Sequence, residues 1–317
     1  MDLEPEELQF LTIPRIFKDS IFIPKQSPNT FIQLTLTLIF PLSFAILAHT
    51  LLTHPLVAQI FSPYGSNSSQ FSKLLVFQFF YLIFLFAFSL LSTAAVVFTV
   101  ASLYTCKPIS FSLAIAAVPS VLKRLFVTYI WVIVVMVLYC VFFVVGFVGM
   151  LVFAVDSRGN NGFVWGMIVV VLMFAGVHVY VSALWHLASV VSVLEPVYGF
   201  AAMKKSYKLL KGKTWMAMVM VSGYLVVCAA INGVFGGFVV YGESLGVFGK
   251  VVVGGVLVGV LVIVNLVALL VQSVFYYVCK SYHREGIDKS ALYDHLGGYL
   301  GEYVPLKSSI QMENLEV

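Results

Sequence analysis

His178 and His186 are the pair whose type and spacing come nearest to a metal or heme site in this 317-residue chain. Eight residues apart on a helix, they stand two turns from each other on roughly one face. A metal or heme needs further ligands, and His49 is the other histidine within an apolar stretch. Packed or interfacial histidines are therefore expected, and no metal or cofactor is assigned. The four cysteines, Cys106, Cys140, Cys228 and Cys279, are scattered, with neither a CxxC pair nor a His/Cys cluster. That argues against a disulfide framework and against a zinc site. No nucleophile elbow, HExxH helix, phosphate loop or pair of intramembrane aspartates is present, so the chain reads as a non-enzyme.

The remaining polar residues in apolar surroundings suggest binding. His178, Asn232, Asn265 and Gln272 are the candidates for a polar pathway, and Gln78 is a further amide within an apolar stretch. A continuous path joining the first four would mark a transporter of a small or amphipathic solute. Their ordinary use is interhelical hydrogen bonding, which contributes about 0.6–2 kcal/mol each. No Asp, Glu, Lys or Arg sits mid-stretch to couple ions. Glu195, beside Pro196 at the end of an apolar stretch, is expected to form a structural ion pair with Lys204 or Lys205. Cys106 and Cys279 lie at the edges of apolar stretches, where cysteines are palmitoylated or remain buried thiols.

These residues are carried by six apolar stretches, at about 29–53, 73–103, 125–155, 163–194, 215–241 and 251–279. Each is long enough for a hydrocarbon core of roughly 30 Å, which takes about 20 helical residues. Backbone groups in such a core must bond within the segment, so each stretch should be a helix. Hydrophobic residues make up 61% of the chain and charged residues 10%, with a mean hydropathy of +1.02. Soluble domains carry about 25% charged residues. The expected fold is all-α: a polytopic membrane protein of six transmembrane helices joined on one side by two amphipathic connections. Residues 1–28 are polar and mixed, with no cleavable signal peptide expected.

Lysine and arginine alternate between connections. Three lie in 1–28, three in 104–124, five in 195–214 and four in the 280–317 tail. Lys73, Arg158 and Lys250 are the single basic residues of the intervening connections. Short basic loops stay cytoplasmic, which places both termini there. One outward loop then holds Asn67-Ser68-Ser69, an N-glycosylation acceptor pattern close to the bilayer.

Residues 3–23 are expected to form an interfacial helix with Leu8, Leu11, Ile16 and Phe17 on one face, weakened by Pro14. Residues 199–213 place Phe200, Met203, Tyr207 and Leu210 on one face, while Lys204, Lys205, Lys208 and Lys211 take the rest. Such a helix lies on a membrane with its lysines toward anionic headgroups or a protein partner. Residues 108–122 make a weaker version, interrupted by Pro119. Val96-Val97 and Tyr104 return 94 residues later as Val190-Val191 and Tyr198, which suggests two copies of a helix–interfacial helix–helix unit. Gly233/Gly237 and Gly255/Gly259 form GxxxG patterns, expected to pair the fifth and sixth helices, with Gly242 in a tolerant outward turn.

Glu-Glu-Leu-Gln-Phe-Leu at 6–11, Ile13-Pro14-Arg15-Ile16, Ile39-Phe40-Pro41-Leu42-Ser43-Phe44 and Leu90-Leu91-Ser92-Thr93-Ala94-Ala95-Val96-Val97 form a set of short stretches. Together they resemble a plant family of uncharacterised multi-pass transmembrane proteins, often labelled polyadenylate-binding-protein-binding-like. That label implies an RNA-related partner, but the chain has no aromatic sheet surface or arginine-rich arm, and no nucleic acid is expected. More distantly, Glu195, Gly199, Ala202, Ser206, Leu210, Lys211 and Gly212 resemble a pattern in membrane domains attached to bacterial glycerophosphodiester phosphodiesterases. The sequence points to a non-catalytic organising or adaptor protein of an endomembrane or the plasma membrane, acting through lipid and protein contacts. Solute transport is the alternative.

Overall fold

The computed structural model describes residues 8–60, 67–105, 110–156, 161–242 and 246–285. Among these residues there is no strand. The helices are α1 (Ile13–Gln26), α2 (Pro28–Leu34), α3 (Phe40–Ile60), α4 (Asn67–Tyr104), α5 (Phe111–Asp156), α6 (Asn161–Leu194), α7 (Phe200–Leu210), α8 (Thr214–Phe235) and α9 (Val247–Tyr282). A π-helical turn, Thr35–Ile39, joins α2 to α3, and another, Gly236–Val240, extends α8. Six segments are long and apolar enough to cross a membrane: Pro28–Gln59, Phe71–Tyr104, Val121–Met150, Trp165–Leu194, Thr214–Val240 and Val247–Tyr282.

Prolines shape the entry to the bundle. Pro14 lies in the first turn of α1, where its missing N–H is not needed. It therefore starts a helix at Ile13 rather than weakening one over 3–23. Leu8, Leu11, Ile16 and Ile23 are buried, and α1 packs along α9 instead of resting only on a membrane surface. The acidic residues Glu4, Glu6 and Glu7 lie outside the described residues. Within the first span, Pro41 cannot bond the Thr37 carbonyl, and its ring would crowd it. The wider π turn immediately before it accommodates the ring without breaking the span.

Helix α9 is the hub, packing against α1, α3, α4, α6, α7 and α8. Leu270, Val271 and every residue from Ser273 to Cys279 are buried, so this part of the helix is enclosed on all sides. At its other end Val247 and Phe248 are exposed. The same gradient runs through α4, where Ala94–Phe98 are buried and Phe79 and Phe80 exposed, and through α5, where Leu125 is buried and Phe142 exposed. The packed core thus sits at the end that carries α1, α7 and most of the described lysines. Elsewhere the helices expose apolar side chains, which lipid tails accept without hydrophobic penalty.

Four expectations are corrected here. The 108–122 segment is not a separate helix: from Phe111 it forms the first turns of α5, running through Pro119, with Ala114, Ala117, Val118 and Val121 buried. The halves differ accordingly. Tyr104 is buried and stacks on Tyr277 with ring centroids 4.5 Å apart, whereas Tyr198 is exposed. The GxxxG glycines do not mediate a close helix pair, because a Cβ at Gly233, Gly237, Gly255 or Gly259 meets nothing within 4 Å. Helices α8 and α9 instead meet where Gly254 faces the Phe235 ring, 3.6 Å from a Cβ built there. Gly242 is the intolerant position, since a Cβ on it would run into the Phe238 carbonyl.

A buried ion network ties the packed end together. Glu195, which follows α6, is 7% exposed. Its Oε1 accepts hydrogen bonds from the Tyr276 hydroxyl at 2.6 Å and Lys280 Nζ at 3.3 Å, and its Oε2 pairs with Lys205 Nζ at 2.5 Å. Lys205 also reaches Glu285 at 3.3 Å. Two carboxylates and two ammonium groups balance, linking α6, α7 and the end of α9. Of the two lysines expected to pair with Glu195, Lys205 is the one used. Burial favours the neutral Glu195 carboxyl. Hydrogen bonds from Lys205 and Tyr276, with the charges of Lys280 and Lys205, outweigh burial and hold its pKa below the ordinary value. Burial likewise opposes the charged form of Lys205, but Glu195 and Glu285 hold its pKa above the ordinary value.

The turn into α7 depends on a glycine. Gly199 has φ +63°, a region that side chains rarely enter. Its N–H donates to Thr128 Oγ1 at 2.8 Å, and Thr128 Oγ1 lies 2.7 Å from Ser192 Oγ. A Cβ on Gly199 would stand 3.2 Å from the Trp131 ring and 3.3 Å from Val127. Helix α7 then lies on α6 through the fully buried Ala202 and through Ser206, whose hydroxyl donates to the Leu184 carbonyl at 2.8 Å. It ends at Gly212, φ +91°, beneath the Tyr282 ring.

Two outcomes follow for the protein melted in detergent. Gly199→Val combines backbone strain with a clash and should cost about 1–3 kcal/mol, read as a lower melting temperature. Glu195→Gln should also melt lower at neutral pH, since hydrogen bonds to a charged group contribute about 1.5–3 kcal/mol. Because the folded-state pKa of Glu195 is depressed, its contribution is present above the ordinary value of 4.5 and lost as pH falls through the folded value. Wild-type melting should therefore drop on acidification below about 4.5, and Glu195→Gln should flatten that drop. Identical acid profiles for the two proteins would remove Glu195 from the account.

Candidate functional site

Where α6, α8 and α9 meet lies a cavity of about 390 Å³, bordered from α1 by Phe17. Pockets for small ligands run from about 300 to 1,000 Å³. Small residues leave the space: Ala183 on α6, Ala217 and Gly223 on α8, and Ala268 on α9. Larger aliphatic and aromatic groups such as Met220, Val267 and Phe275 complete the walls, and no Asp, Glu, Lys or Arg lines it. Along α9 the lining runs from Ile263 to Phe275, a length of about 18 Å at 1.5 Å per residue. Val227 and Ile263 line the cavity and are also 43% and 62% exposed. The slot therefore opens sideways between α8 and α9.

Its polar atoms come from three side chains. His186 Nδ1 lies 3.0 Å from Gln272 Oε1, and because the amide oxygen accepts, the imidazole proton sits on Nδ1. Tyr224 donates to Asn265 Oδ1 at 2.9 Å, and Asn265 Nδ2 donates to Ser43 Oγ at 2.9 Å. The His186 and Tyr224 rings meet edge to face with centroids 6.2 Å apart. These bonds join α9 to α6, α8 and α3.

The four residues expected to form a polar pathway are dispersed. Gln272 lines the slot, and Asn265 lies behind it, satisfied by Tyr224 and Ser43. His178 lies beside the Tyr139 ring at 5.8 Å, between α6 and α5. Asn232 turns back onto the Cys228 carbonyl of its own helix at 2.9 Å. Among the described residues no hydrogen bond links the four into a path. Tyr224 and Ser43 escaped the sequence reading because Tyr and Ser are ordinary in apolar helices. The seven-residue spacing of Asn265 and Gln272, one face of a helix, was the available signal.

The lysines of α7 divide. Lys205 turns inward to Glu195, while Lys204, Lys208 and Lys211 are exposed. Phe200 and Tyr207, placed by the sequence on the apolar face of a membrane-lying helix, are 62% and 56% exposed and share the outer face with those three lysines. The packed face is instead Ala202, Ser206, Leu209 and Leu210, because close approach to α6 selects small side chains there. Cys279 is wholly buried, which closes it to lipidation; Cys106 lies outside the described residues. Asn67 is the first residue of α4, about 6 Å along the axis from the apolar span that begins at Phe71, and its side chain lies outside the described residues.

Comparison with known proteins adds a family. No curated protein and no solved structure matches the chain. A family model described as a domain of unknown function, DUF8558, matches residues 1–315. On a match of that extent, the chain belongs to the DUF8558 family.

Proposed function

We propose that this protein is a non-catalytic multi-pass membrane protein that holds a membrane lipid in the slot between α6, α8 and α9. It organises its surroundings through that lipid and through the outer face of α7. The slot carries the reading: it is elongated, apolar, free of charged side chains and open sideways. The outer face of α7 supports the second half. Phe200 and Tyr207 suit the interface between headgroups and acyl chains. Lys204, Lys208 and Lys211 suit anionic headgroups, at about 1 kcal/mol per lysine, weakened by salt. Solute transport finds less support, because His178, Asn232, Asn265 and Gln272 are not joined.

The basic end, where the described residues begin at Leu8 and finish at Glu285, faces the cytoplasm, in an endomembrane or the plasma membrane. Tags at the two termini should resist external protease in sealed vesicles and be cut after permeabilisation. Cleavage of either tag in sealed vesicles would reverse the orientation.

For the slot, Ala268→Phe adds a ring inside the space lined by Val264, Val267 and Gln272. Protein purified in mild detergent should carry co-purifying lipid, measured by mass spectrometry after extraction. Ala268→Phe should retain at least fivefold less while melting within a few degrees of wild type, since the added ring fills space rather than overpacking it. Equal lipid content in both proteins would sink the assignment.

A further inference from the structure

The polar atoms of the slot narrow the class of lipid. With His186 Nδ1 donating to Gln272 Oε1, His186 keeps a lone pair on Nε2 and Gln272 keeps both amide hydrogens. Neither group has a further partner among the described residues. The slot therefore has one acceptor on its wall, His186 Nε2, and one donor group, the Gln272 amide. Nε2 lies across the ring from the bonded Nδ1, and a ligand O–H answers it by donating. A plain hydrocarbon would leave these groups unpaired. A charged headgroup would meet no counter-charge, because no ionisable side chain except His186 and Tyr224 lines the slot.

Depth adds to this. His186 lies eight residues before the end of α6, Tyr224 ten after the start of α8 and Gln272 ten before the end of α9. All three stand about 12–15 Å inside the helix ends. At that depth water competes little, and the lateral opening at Val227 and Ile263 admits a ligand from the bilayer.

Resting on the reading that the slot holds a lipid, we propose that its occupant is a neutral lipid bearing a hydroxyl, which donates to His186 Nε2, the ring nitrogen that the Nδ1–Gln272 bond leaves as an acceptor. Two sources share that chemistry, a sterol and a long-chain alcohol.

The test uses the full-length protein in lipid nanodiscs with four photoreactive probes: a sterol, a long-chain alcohol, and the methyl ether of each. An ether accepts a hydrogen bond but cannot donate to His186. Wild type should bind one of the alcohols at least tenfold more tightly than its ether, and the arm that shows the preference identifies the source. In Gln272→Leu the preference should shrink toward parity, with the ether still labelled. In Ala268→Phe both members of the pair should label several-fold less. Equal affinity for alcohol and ether in both arms of wild type would overturn the hydroxyl assignment while leaving a lipid slot. No labelling by any probe, or labelling untouched by Ala268→Phe, would overturn the slot itself. The wild-type comparison stands even where a variant fails to fold.

Discussion

A carboxylate placed at the end of a membrane helix must find positive charge or remain protonated, and Glu195 governs the basic end of this bundle through that constraint. Taking an ion out of water costs several kcal/mol, repaid only by good geometry and further hydrogen bonds. Glu195 obtains these from Lys205 on α7 and from Tyr276 and Lys280 on α9. Each partner comes from a different element than Glu195 itself, so the charge is satisfied only when α6, α7 and α9 are in register. The network is better understood as a device for specifying one arrangement than as net stability, because a well-packed apolar set of the same volume is often no less stable. Around it the neighbouring positions have matching roles: Gly199 allows the turn, Ala202 and Ser206 allow close contact, and Gly212 lets Tyr282 lie over the end of α7.

Much of the architecture was readable in the sequence because the bilayer imposes it. Six apolar runs can be satisfied in hydrocarbon only as helices, and the six membrane-length helices are present. Prolines were harder to weigh. Pro14 looked like an interruption and begins a helix; Pro119 looked like one too and lies inside α5. A proline's effect depends on whether the bond it deletes was needed, and that is set by where the helix starts. The GxxxG patterns failed for a related reason. Small residues permit close approach, but what faces them decides whether it happens, and Phe235 selected Gly254 instead.

The site was less readable. The ion pair of Glu195 with a following lysine was accessible because both residues lie on one short connection. Its other partners, Tyr276 and Lys280, lie 81 and 85 residues away, and no local pattern reports them. The lysines of α7 were read as one face, yet the docking of Ala202 and Ser206 onto α6 rotates Lys205 inward and leaves Phe200 and Tyr207 outside. An amphipathic pattern gives the relative positions of residues around a helix. It cannot say which face meets the protein when one side offers small residues and the other large ones. The slot left no linear signal, since its walls are ordinary Ala, Val and Phe drawn from four helices.

Membrane physics makes that slot consequential. Deleting side chains from a packed core costs about 24 cal/mol per Å³ of void. A slot of about 390 Å³ left unfilled likewise deprives its walls of contacts. A soluble protein would collapse onto such a space or admit water. Here the pinned end restricts collapse, because α6 and α9 are tied through Glu195, and α1 and α8 pack along α9. Water gains little from walls this apolar. On the proposed reading, lipid entering from the bilayer through the lateral opening would recover the lost contacts. The free ring nitrogen of His186 would then discriminate among lipids, because among many apolar bodies of similar size one that donates to it avoids leaving it unpaired.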